Sequence, residues 1–139
     1  MKKRFLMSIQ ITMIVFAIVS LFLPYLIRLN IHSGNLNISK IEYGHKFSTA
    51  LISISFMLIT FYYKQEVRNN IITIFLSSLI CLSVYLVRLM IHFQGFIDHD
   101  FDTKAGIGFV TLTICSILFC SFIFIELFYD HKKKKVGQK

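Results

Sequence analysis

Four apolar runs, each long enough to cross a bilayer as a helix, constrain this chain more than any other feature. The hydrocarbon core takes about 20 helical residues to cross. The runs cover residues 5–27, 43–63, 71–93 and 105–129. A single span in lipid must satisfy its own backbone groups, so each run is expected to be a helix. With 55% apolar residues, 15 Phe and no Trp in 139 residues, the surface cannot be that of an ordinary soluble domain. The mean hydropathy of +0.68 says the same. The expected fold is all-α: a polytopic membrane protein built as a four-transmembrane-helix bundle, with residues 1–139 forming one domain.

The first run follows Lys2-Lys3-Arg4, which looks like the start of a signal peptide. The run is long, however, and ends without a convincing small-x-small cleavage site. It is therefore read as a retained span. Pro24 stands near its far end, where a helix can stop or kink at modest cost. The second run carries Ser48, Thr49, Ser53 and Ser55 in its first half, the side expected to pack against sibling helices. Tyr62 and Tyr63 suit an interfacial aromatic belt. The short link 64–70 makes the second and third helices antiparallel neighbours.

Orientation follows from Lys and Arg placement. With the N-terminus inside, the inner side holds Lys2, Lys3, Arg4, Lys64, Arg68, Lys132, Lys133, Lys134, Lys135 and Lys139. The outer side holds Arg28, Lys40, Lys46 and Lys104. The imbalance puts both termini in the cytoplasm. The connectors 28–42 and 94–104 then share the outer face, and the basic tail 130–139 lies inside. In a soluble protein the basic ends would suggest nucleic acid. Beside spanning helices, Lys2, Lys3 and Arg4 at one end and Lys132, Lys133, Lys134 and Lys135 at the other read as anchors for anionic lipid headgroups.

The outer connector 28–46 has more pattern than a linker. Leu29 and Ile31 alternate with Asn30 and His32, Ser33-Gly34-Asn35 is a turn signal, and Leu36 and Ile38 alternate with Asn37 and Ser39. A small extracytoplasmic β-hairpin over residues 29–39 is expected, with an edge that could pair with another chain.

Within the spans, charge is rare. Arg88 lies about 7–8 Å from the outer end of the third run, within snorkelling reach. His92 follows one turn later on the same face. The pair has two readings: an anchor that fixes helix depth, or a site that takes an anion or a loop carboxylate. Glu126, the one acid inside a span, sits near the inner boundary and is expected to pair with Lys64, Arg68 or the tail. That depth is too shallow for a mid-membrane proton carrier. In the fourth run Gly106, Thr113 and Cys120 repeat every seven residues, with Gly108 beside them, a stripe suited to close helix packing.

Metal chemistry finds little support. His32, His45, His92 and His99 would face outward near Asp98, Asp100, Asp102 and Glu42, but their spacings match no ligand signature. The acidic loop starts like a calcium loop and fails it, with Thr103 and Phe109 where Gly and Glu are required. Cys81, Cys115 and Cys120 contain no CxxC and read as packing residues. Asn37-Ile38-Ser39 is a formal glycosylation sequon, meaningful only in a eukaryotic source. No nucleophile-base set, phosphate loop or Walker motif is present. No cofactor is expected and no enzyme activity. Small multidrug exporters, membrane thiol oxidoreductases and claudin-like proteins each have defining residues that this sequence lacks.

The function expected is a non-enzymatic accessory, immunity or regulatory subunit of a cell membrane, bacterial cytoplasmic in type. It would bind a membrane-protein partner, or further copies of itself, through helix faces or outer loops. The runner-up is a self-assembling, holin-like pore or a small transporter. A lipid-modifying enzyme using Arg88 and the outer histidines comes third.

Overall fold

A computed structural model describes residues 3–30, 37–66, 70–97 and 101–136. Four helices carry most of the chain: α1 (Lys3–Ser20), α2 (Ser48–Glu66), α3 (Asn70–Ile97) and α4 (Ile107–Val136). Three short strands, β1 (Pro24–Asn30), β2 (Asn37–Tyr43) and β3 (Phe101–Ala105), form one antiparallel sheet in the order β2-β1-β3. Among the described residues two helices, Asn70–Phe93 and Ile107–Tyr129, are long and apolar enough to cross a membrane; the apolar part of α1, Arg4–Ser20, is shorter, and α2 does not combine the length and hydropathy expected of the second run.

The first helix is shorter than the apolar run that contains it. It ends at Ser20 instead of continuing to residue 27. Pro24 gives the reason. Its ring has no N–H and would collide with the carbonyl four residues back, and it biases Leu23 toward extended backbone. Tight turns close the helix: the N–H groups of Leu21, Phe22 and Leu23 each reach three residues back, at 3.0–3.1 Å. At the first position of a strand the missing N–H costs little. The apolar residues beyond Pro24 are then used in a sheet instead of in lipid.

The hairpin is longer than the expected 29–39 and begins inside the apolar run. Its register pairs Ile27 with Ile41 and Arg28 with Lys40, and shifts twice, between Pro24 and Leu26 and between Arg28 and Leu29. The second outer connector was expected as a loop. Its residues from Phe101 onward instead form β3, which pairs Leu26 with Ala105 and Arg28 with Thr103. The helix expected from residue 105 accordingly starts at Ile107. β3 was hard to see because Phe-Asp-Thr-Lys-Ala has little apolar alternation. The hydrogen bonds that hold it come from β1, distant in sequence.

This pairing fixes the bundle. The end of α1, the start of α2, the end of α3 and the start of α4 all meet the sheet, so the helices run alternately up and down. Principal packing is α1 on α4 and α2 on α3. Met57, Ile80, Val87, Leu112, Phe119 and Ile123 are fully shielded within it. Outward-facing residues on all four helices are also apolar: Phe16 and Val19, Leu51 and Ile52, Phe75 and Leu82, Ile117 and Phe128. Several polar side chains are turned inward, including Gln10, Thr60, Ser77 and Glu126. An apolar outer face over an apolar core that also holds inward polar groups is unlike a water-soluble bundle.

Candidate functional site

The sheet is held to the bundle by Tyr25, the second residue of β1. Its side chain is fully buried. The ring stacks on Phe47 at 5.6 Å and meets Phe109 edge-on at 6.4 Å. Its hydroxyl lies 2.9 Å from the Ser20 hydroxyl. Burial pushes the phenol up from its ordinary value of 10.0 to about 12, against the lowering effect of the Ser20 hydrogen bond. Two glycines make room. A Cβ at Gly44 would fall 2.4 Å from Tyr25 Cε1, and one at Gly108 would fall 2.7 Å from Tyr25 Cδ1. Backbone bonds complete the joint: His45 N–H donates to Leu21 O at 2.9 Å, and Gly106 N–H to Tyr25 O at 2.8 Å.

The stripe of small residues is thereby divided. Gly106 precedes α4, and its close contact is with Pro24, whose carbonyl oxygen would lie 2.2 Å from an added Cβ. Gly108 abuts Tyr25 and the carbonyls of Ser20 and Leu23. Thr113 is half-buried and donates to Phe109 O in its own helix at 2.9 Å. Cys120 alone faces another helix in the expected way, with Sγ 3.7 Å from Ser77 O on α3.

Beside the sheet, a cleft of about 560 Å³ opens between α3, the end of β3 and the first turn of α4. Tyr85, Arg88, Leu89 and His92 share one α3 face, at the spacing of successive turns, and line it. Ile91 and Phe109 are nearly buried beneath, while Tyr85, Arg88 and His92 are exposed at the rim. Arg88 and His92 are thus brought to one site, as their spacing implied. On the sheet itself, Lys40 pairs with Glu42 at 2.8 Å. That hydrogen bond, helped by the charges of Lys40, Arg28 and Lys46 and opposed by burial, holds the Glu42 carboxyl below its ordinary value.

At the far end of the bundle Glu126 is nearly buried and forms an ion pair with Lys64, one of its three expected partners. Gln10 joins them from α1: its Nε2 donates to Glu126 Oε2 at 3.3 Å, and Lys64 Nζ donates to its Oε1 at 3.5 Å. Three helices meet in this cluster. Gln10 was missed in the sequence because it carries no charge and lies alone in an apolar run. Its occurrence well inside that run was the available signal.

Among the described residues, no three His, Cys, Asp or Glu side chains gather as a metal site. His45 is exposed and stacks on Tyr43 at 6.1 Å. His32, His99, Asp98 and Asp100 lie outside the described residues. Compared with known proteins, the chain matches no family model, no curated protein and no solved structure.

Proposed function

We propose that the chain is a four-span membrane protein with both termini in the cytoplasm, serving as a non-enzymatic accessory, immunity or regulatory subunit. It binds a membrane-protein partner through its outward sheet and helix faces. Basic residues at both chain ends grip anionic headgroups on the inner side. Apolar residues directed outward on all four helices support full embedding. At the helical rise α1 and α2 are about 27 and 29 Å long, close to the ~30 Å of the hydrocarbon core. The Gln10–Lys64–Glu126 cluster then falls toward the inner boundary and the sheet toward the outer one.

The observation that carries the binding role over transport is the filled interior. Met57, Ile80, Val87, Leu112, Phe119 and Ile123 are fully shielded inside the bundle. A water path through a single chain would have to displace them. A pore made of several copies needs outward polar stripes instead. The exposed hydroxyls of Ser8, Thr12, Ser55, Ser78 and Ser121 all bond carbonyls of their own helices. Besides the apolar helix faces, the sheet is available to a partner, with β2 and β3 at its edges and Ile38, Ile41 and Tyr43 exposed on β2.

Purification of the full chain in mild detergent, with identification of co-purifying proteins, tests this reading. A defined hetero-complex supports it. A homo-oligomer that releases dye from liposomes overturns it in favour of the pore.

A further inference from the structure

The cleft beside β3 combines three features. It is large enough for a small ligand, since binding pockets run to roughly 300–1,000 Å³. Its depth is apolar, formed by Leu89, Ile91 and Phe109. Its rim carries a guanidinium, Arg88, and an imidazole, His92, one turn apart. Arg88 has no carboxylate partner among the described residues. The opposite wall is the first turn of α4, which contributes the positive end of a long helix.

Depth selects the ligand. The Arg88 backbone lies about 7–8 Å inside the end of the apolar run at Phe93, so its long side chain, reaching outward, brings the guanidinium to the boundary where glycerol backbones and phosphates of a leaflet begin. A free phosphate ion would fill a small part of the space and gain nothing from the apolar floor. A phospholipid matches both halves: phosphate oxygens accept from Arg88 and His92, and the acyl chain follows Leu89 and Tyr85 into the bilayer. We propose that this cleft is a binding site for one phospholipid with an anionic headgroup, held in the outer leaflet. It is separate from the anchoring of the basic chain ends at the inner leaflet. The inference rests on the membrane reading above, which carbonate extraction of the full chain from membranes tests on its own.

Native mass spectrometry of the detergent-solubilised full chain, titrated with phosphatidylglycerol, phosphatidylcholine or inorganic phosphate, tests the proposal. The expected result is one tightly retained phosphatidylglycerol, displaced by neither of the other two. Arg88→Gln weakens that binding about tenfold, the loss of one charge-assisted contact. Ala105→Phe blocks the cleft without changing any charge, so it weakens binding while leaving the basic ends intact. It also stands in should Arg88→Gln fail to fold. Equal retention of phosphatidylcholine, displacement by inorganic phosphate, or binding unchanged in whichever variants fold each overturns the proposal.

Discussion

Separating Lys64 from Glu126 gives the sharpest test of the bundle's packing. Both side chains are about nine-tenths shielded, with 10% and 11% of their surface exposed. Opposite charges at contact distance attract by roughly 4 kcal/mol in a protein-like dielectric. The cost of desolvating them is of similar size, so the intact pair contributes little net stability while a lone member is expensive, by about 3–5 kcal/mol. The two members are not equivalent. Lys64 stands in the last turn of α2, and without Glu126 its long side chain can snorkel to headgroups. Glu126 has no such route and would keep only the Gln10 amide. Lys64→Met should therefore cost ~3–4 kcal/mol, which is a fall of about 10–15 °C in Tm for a chain of this size. Glu126→Leu should cost ~2 kcal/mol. The double variant should return to within about 1 kcal/mol of the starting protein, because two apolar groups replace a satisfied pair. Thermal unfolding in detergent micelles, followed by circular dichroism, measures the cycle. The expected coupling, the sum of the single losses less that of the double variant, is ~4–6 kcal/mol. Single losses that simply add in the double variant would refute the reasoning.

Other perturbations address the sheet's attachment. Gly108→Ala places a Cβ 2.7 Å from the Tyr25 ring and 2.8 Å from the Leu23 and Ser20 carbonyls, and should lower stability by ~1–3 kcal/mol in the same unfolding assay. Tyr25→Phe loses the 2.9 Å contact with Ser20 at a cost of ~1 kcal/mol. The raised Tyr25 value has a pH signature. The unfolded phenol ionises near 10.0 and the folded one near 12, so its contribution is complete below 10 and disappears as pH rises between the two. Spectrophotometric titration of the folded protein should show one tyrosine ionising near pH 12, later than an ordinary phenol, and Tyr25→Phe should abolish that late step. Ser53 Oγ is buried with no hydrogen-bond partner among the described residues, so Ser53→Ala should leave Tm unchanged or raise it slightly.

The helices were legible because lipid-scale apolar runs are a strong local signal. Glu126 pairing with Lys64 and Arg88 sharing a face with His92 were legible because helical spacing and the scarcity of charge left few choices. Other features depended on contacts between distant segments. The apolar residues after Ser20 suit lipid and a buried strand equally well, and only Pro24 hinted at the change. β3 exists because β1 offers it a free edge, and nothing in Phe-Asp-Thr-Lys-Ala announces it. Tyr25 looked like one more aromatic near a membrane boundary. Its role emerges only when Gly44 and Gly108, far apart in sequence, close on the same ring.

The central claim is that this sheet crowns one end of a four-span bundle, outside the cell, with both termini inside. Single cysteines in a chain whose own three are replaced by alanine, probed on intact cells with a membrane-impermeant maleimide, test it most directly. Ile38→Cys on β2 and Lys104→Cys on β3 should label from outside. Asn70→Cys, at the link between α2 and α3, and Lys139→Cys, at the tail, should label only after the membrane is permeabilised. Labelling of Asn70→Cys or Lys139→Cys on intact cells, or protection of both sheet positions, would contradict it.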